Sequence, residues 1–214
     1  MRRKTNIDFA PEITKTVMKT TLPVLNLAKA HNVLIAGADN QGISAILDSL
    51  VRSLRNAESS YGLRFVSITP ESAKAELEAL NMEMDERLRE TASTRPPVFV
   101  IIKDFDTLTV PSDTRHEEIE RAGEFYRLIL RLAIKGGRAQ IRLVVTTQSL
   151  SPDAITMLLK ANFPTRIAVR TCSSHDSRLI LDSPGAEDLT GDGDCLLDFM
   201  GRIEPFTGGE FVME

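Results

Sequence analysis

A chain of 214 residues, 42% apolar and 26% charged, has the length and composition of one folded domain with a sizeable core. Its net charge of −4 excludes a global basic field for nucleic acid, so any DNA contact would need a local patch. No apolar run reaches the roughly 18 residues of a membrane span, and Met1-Arg-Arg-Lys4 lacks the apolar core of a signal peptide. Cys172 and Cys195 lie in or beside expected strands, which fits reduced structural thiols in a cytoplasmic protein better than a disulfide framework. No repeat or low-complexity tract is present.

Residues 1–25 read as a lead-in segment and 26–214 as the domain. Within the lead-in, Ala10 to Thr21 has the spacing of a short helix, with Pro11 at its first position and Pro23 after its end. Val33 to Ala36 is a short buried strand. Ile43, Ile46, Leu47, Leu50, Val51 and Leu54 then form one apolar helical stripe, and Arg55 to Ser60 reads as a surface turn. Leu63 to Ile68 is a second strand. Thr69-Pro70-Glu71 is expected to open a helix running to about Ala92, with a solvated face of Glu, Lys and Arg.

Arg95-Pro96-Pro97 enforces extended entry to Val98–Ile102, five apolar residues that predict a parallel strand buried on both faces. A polar loop is expected over 107–116, then a helix from His116 to Ile134, largely buried near its end and stopped by Gly136-Gly137. Ile141 to Thr146 reads as a strand. Ser151-Pro152-Asp153 reads as the cap of a helix to Lys160, and Arg166 to Arg170 as a further strand. Cys195–Phe199 and Glu210–Met213 are expected to form a terminal antiparallel pair. Strands alternating with helices predict an α/β fold: a mostly parallel sheet with helices on both faces and a small antiparallel extension. Ligands of such sheets sit at the carboxyl ends of the strands.

Gly37-Ala38-Asp39-Asn40-Gln41-Gly42-Ile43-Ser44 follows the first buried strand and opens a helix, the setting of the phosphate-binding pattern G-x-x-x-x-G-K-[ST]. Gly37, Gly42 and Ser44 keep their places, but position 43 is Ile instead of Lys. The segment Lys103–Asp106 and Thr147-Gln148 fall at the same sheet edge. In a working loop, backbone N–H groups cradle the phosphates, lysine neutralises charge, and serine with an acid after a neighbouring strand holds Mg²⁺. Here a cation is lost and Asp39 is gained, a swing of about two charges; at about 4 Å each is worth roughly 4 kcal/mol. Ile43 also has a plain packing role, as the first residue of its helix stripe.

Residues Lys160–Arg170, Ser173–Arg178, Leu181–Glu187 and Gly191–Asp194, together with Leu27–Lys29, Leu77–Arg87 and Gly137–Ala139, resemble the motor domain of the FtsK/SpoIIIE DNA translocases in the family's order. The resemblance spans about residues 26–214. It implies a three-layer RecA-like P-loop fold, ATP and Mg²⁺ as the parent family's cofactors, a ring of subunits and double-stranded DNA as the track. It places Asp104 and Gln148 at vestigial catalytic positions and Lys103 where the family has its metal-linked acid. It makes Arg166, Arg170 and Arg178 subunit-interface residues. The departures at Ile43 and Lys103 imply a degenerate site with no bound cofactor, acting as a DNA- or protein-binding scaffold. An active translocase and a secretion or conjugation ATPase domain remain as alternatives. The exchange of charges suggests that Lys103 pairs with Asp39 or Asp104.

His31, His116 and His175 lack ligand spacing, and Asp188, Asp192, Asp194 and Asp198 lack the calcium-loop pattern, so no metal site is read. Arg127, Arg131, Lys135 and Arg138 form a basic stripe, read first as a solvated face and second as a DNA or subunit contact.

Overall fold

The computed structural model describes residues 24–27, 29–90, 95–191, 193–206 and 210–212. The helix expected at 10–21 lies outside them. In chain order the elements are β1 (Val24–Asn26), β2 (Val33–Ala36), α1 (Asn40–Tyr61), β3 (Arg64–Ile68), α2 (Ala73–Arg89), β4 (Val98–Ile102), α3 (Asp106–Thr109) and α4 (His116–Lys135). They continue with β5 (Ile141–Thr147), α5 (Met157–Asn162), β6 (Thr165–Ala168), α6 (Ser174–Leu181), β7 (Leu196–Phe199), β8 (Arg202–Pro205) and β9 (Glu210–Val212).

The main sheet has the order β3-β4-β5-β2-β6-β7-β8, parallel from β3 to β6 and antiparallel through β7 and β8. Alternate residues of each strand enter opposite cores, as the pleat requires. Leu34, Val98, Val100, Leu143 and Val145 face Leu77, Leu80, Ile129, Leu132 and Ile180 of α2, α4 and α6. Val33, Ile35, Phe99, Ile101 and Val144 share the second core with the α1 residues Ile43, Ile46, Leu50 and Leu54. This is the expected α/β architecture of sheet between two helical layers. All five residues of β4 are buried.

Several local expectations are corrected. The apolar stripe of α1 continues through Ala57, so 55–60 stays helical until Gly62 takes the left-handed φ of 61° that ends it. Residues 69–72 form a turn instead of a helix start, because the Thr69 and Ser72 hydroxyls capture each other's backbone N–H groups, at 3.2 and 3.4 Å. The loop expected over 107–116 begins with α3. Ile134 is 53% exposed, so the end of α4 is less buried than its composition suggests. Gly136-Gly137 does not stop the chain's winding. A 3-10 turn continues to Ala139 and Gln140 ends it at φ 59°. Gly136 is required for another reason: a Cβ there would lie 2.7 Å from the Ile141 carbonyl oxygen.

Ser151-Pro152-Asp153 folds as a turn, and α5 starts six residues later under a Thr156 cap that accepts the Leu159 N–H at 3.0 Å. The terminal pairing also differs. β7 pairs with β6 and β8, whereas β9 lies parallel to β1, a partner from the other end of the chain. The basic stripe is not one surface: Arg131 turns onto α2 and binds Asp85 at 2.7 Å, with Asn81 as a further acceptor. Cys195 is a structural thiol. It donates to the Phe206 carbonyl at 2.6 Å, and burial, with Asp194 adding to it, pushes its pKa up to about 12.

Candidate functional site

The carboxyl ends of β2, β4, β5 and β6 bring the motif residues to one edge. Gly37 leaves β2 with φ 155° in a space that admits no side chain, since a Cβ would meet Val169 Cγ2 at 2.4 Å and the Val169 carbonyl at 2.8 Å. The next N–H, from Ala38, is bonded to the Arg170 carbonyl at 2.9 Å. β6 and its extension thus form one wall of the loop.

The helix was expected to begin near Ile43, after a loop spanning the motif. It begins at Asn40, inside the motif. Asp39 causes this: its backbone is extended (φ −93°, ψ 97°), and its carboxylate accepts the Gln41 N–H at 3.1 Å. The Asp39 carbonyl accepts the Ile43 N–H at 3.0 Å, an ordinary helical bond. Three N–H groups of the segment, those of Ala38, Gln41 and Ile43, are therefore bonded within the chain. The second Asp39 carboxylate oxygen lies over Gly42, 2.8 Å from where a Cβ would stand. The positive end of α1 carries its own carboxylate. Replacing Asp39 with alanine is expected to cost about 1 kcal/mol, the usual loss of a helix cap; the shift of the urea midpoint at constant slope measures it.

Ile43 is fully buried and belongs to the core beneath α1. Ser44, half-buried one residue on, keeps its place at the loop edge. Beside the loop, Thr190 and Gly191 donate N–H groups to Asp194 at 2.9 Å each. Burial raises the Asp194 pKa, but these N–H bonds and the Thr190 hydroxyl outweigh it and hold the carboxyl below its ordinary value. Gly191 packs so closely that Asp39 Oδ2 and Arg170 Nε both lie 3.4 Å from its would-be Cβ. Arg170 thus stands beside its own chain's loop.

At the end of β4 the expected pairing of Lys103 is not found. Lys103 is exposed and has no carboxylate at ion-pair distance among the described residues. Asp39 is held by its cap, and Asp104, the next residue, turns the other way. Asp104 has φ 49°, its N–H donates to Thr146 Oγ1 at 2.9 Å, and its Oδ1 is shut from solvent without a hydrogen-bond partner among the described residues. Asp106 and Thr147 complete this cluster, the hydroxyl donating to Oδ1 at 2.6 Å. Sequence reasoning placed Asp106 and Thr147 at this edge but not their bond to each other, and missed Thr146, which receives the Asp104 N–H; the signal was two threonines closing an otherwise apolar strand. Gln148 is exposed just beyond them.

Arg166 is committed within the chain. Its Nε and Nη2 donate to Asp198, the former at 3.1 Å, and its Nη1 to Asp182 at 2.8 Å. Asp198 is therefore an ion-pair partner, not part of an acidic ligand cluster; Asp192 lies outside the described residues. Arg178 is exposed and donates to Ser174 Oγ at 3.0 Å. Among the described residues no group of three acidic, His or Cys side chains is arranged to hold a metal, and no helix is long and apolar enough to cross a membrane.

No family model matches the chain. A DNA translocase FtsK of Caldanaerobacter subterraneus is 30% identical over 230 residues, covering 89% of this chain and 31% of the relative. That of Borreliella burgdorferi is 30% identical over 226 residues, covering 86% and 27%. A shorter match to the Pseudomonas aeruginosa FtsK is 43% identical over 104 residues, covering 49% of this chain and 12% of the relative. The chain thus spans under a third of the length of these relatives. Among solved structures, the conjugation coupling protein TcpA of pCW3 superposes with a TM-score of 0.72 at 19% identity, covering 85% of this chain and 60% of that one. EssC (ATPases 2 and 3) from Geobacillus thermodenitrificans superposes at 0.64 and 16% identity, covering 84% and 39%. With the glycine loop, the parallel sheet and this similarity along most of its length, the chain belongs to the FtsK/SpoIIIE-type domains of RecA-like P-loop fold.

Proposed function

We propose that the domain is a non-hydrolysing member of its family, a scaffold that binds DNA or protein through the retained motor fold. The observation that carries this is the closure of the phosphate loop on itself. Asp39 caps α1 within the motif, and the residue at the lysine position is buried in the core. A triphosphate would meet a carboxylate instead of an ammonium, and at about 4 Å and an effective dielectric near 20 each such charge costs or contributes roughly 4 kcal/mol. Exposed Lys103 supplies no metal ligand beside Ser44. The residues present do not fit Mg²⁺-bound triphosphate, and no catalytic step is derived through it. Double-stranded DNA as partner and a ring of subunits are proposed by kinship with relatives that are named DNA translocases.

One observation favours the competing reading of a working ATPase: the buried, unpartnered Oδ1 of Asp104 at the carboxyl edge. Steady-state hydrolysis of ATP with and without duplex DNA separates the two. The scaffold reading expects no turnover above background in either case. DNA-stimulated turnover that disappears in Asp104→Asn would establish the enzyme instead.

A further inference from the structure

On the sheet edge opposite the glycine loop, where β2, β5 and β6 begin, lies a cavity of about 420 Å³. His31 reaches it from the turn before β2, Arg138 from the 3-10 turn before β5, Arg142 from β5 itself and Pro164 from the turn before β6. The charged side chains that line it are Arg138 and Arg142, with His31 beside them and no Asp or Glu among the lining residues. Elsewhere the chain pairs its packed arginines with acids: Arg87 with Glu83, Arg131 with Asp85, Arg166 with Asp198.

Arg142 has no such partner among the described residues. Its Nη1 donates to the Leu27 carbonyl at 2.9 Å, and its guanidinium lies 5.7 Å from the Phe99 ring centre. Both neighbours are neutral, and burial lowers its pKa from the ordinary arginine value. A cation withdrawn from water without a counter-ion costs free energy that a bound anion returns. Ile134, half exposed, and Pro164 add an apolar wall. The volume suits a small molecule rather than a duplex.

We propose that this cavity binds a small molecule joining an oxyanion, phosphate or carboxylate, to a compact apolar body. The guanidinium groups of Arg142 and Arg138 hold the oxyanion, and Ile134 and Pro164 cover the apolar part. The site is independent of the glycine loop and needs no nucleotide there.

The test is a titration of the full chain with phenyl phosphate, benzoate, inorganic phosphate and neutral benzyl alcohol, followed through the arginine Nε–H resonances. The account expects saturable shifts of Arg142 and Arg138 with phenyl phosphate or benzoate, whichever binds tighter naming the oxyanion, weaker binding of inorganic phosphate and none of benzyl alcohol. Arg138→Ala, an exposed change, is expected to weaken the tighter ligand about tenfold, the loss of one charge-assisted hydrogen bond. Arg142→Lys keeps the charge, loses the planar fork and is expected to weaken it similarly. Equal binding of benzyl alcohol, unchanged affinity in both variants, no arginine shift, or equal shifts at the remote exposed Arg52 would each overturn the proposal.

Discussion

Replacing Ile43 with alanine is expected to lower the stability of the domain by about 2–5 kcal/mol, the range for truncating a buried aliphatic side chain. Ile43 has no exposed surface, and its core contains Ile35, Ile46, Leu50 and Val169, so the cavity left behind has little room to collapse. Urea denaturation should show a lowered midpoint with unchanged slope. Ile43→Lys is expected to lose at least as much, because it sets an ammonium among the same apolar groups. It should not create nucleotide affinity, because Asp39 still caps α1. A loss below about 0.5 kcal/mol, the level of a surface change, would mean that position 43 is not a core position and would reopen the loop as a ligand site.

Asp198→Ala is expected to cost about 3–5 kcal/mol, the penalty for removing one member of a buried ion pair. The Arg166 side chain is 12% exposed and that of Asp198 1%, and Asp198 also accepts the Gly201 N–H at 2.8 Å. Without the carboxylate, two of the guanidinium's donor groups remain buried with no acceptor, and the β7–β8 turn loses its anchor. Replacing both residues with apolar ones of similar size should recover most of the loss, because the pair's own net contribution is small once its desolvation is counted. If Asp198→Ala costs under about 1 kcal/mol, the pair resembles a surface bridge, and Arg166 is free to act on a neighbouring subunit as the family resemblance implied.

The sheet and its two helical layers were legible because short apolar runs and period-3.6 apolar patterns are local. The buried run Val98–Ile102 and the stripe from Ile43 to Leu54 each fix a strand and a helix without long-range information. The pairing of β9 with β1 was not legible. Three-residue strands at opposite ends of the chain carry no pattern that names a partner. Helix starts failed wherever a hydroxyl could either cap a helix or close a turn: Thr69 and Ser151 did the second, and Thr156 the first.

At the site, the residues that depart from the phosphate-binding pattern were legible one by one, but not their consequence. Counting charge marked Asp39 as unfavourable to phosphate. Only the fold shows that its carboxylate caps α1 and moves the helix start into the motif. The expected partnership of Lys103 failed for a related reason. The charge balance suggested it, but the chain turns directly after β4 with Asp104 at φ 49°, and the carboxylate of Asp39 is engaged elsewhere.

Calorimetric titration of the purified chain with Mg²⁺ and ATP bears most directly on the self-capped loop. The account predicts no saturable heat, and none in a parallel titration with ATP in EDTA. A single-site isotherm that depends on Mg²⁺ and is lost in Ser44→Ala would contradict it, because Asp39 would then have to yield the end of α1 to a phosphate.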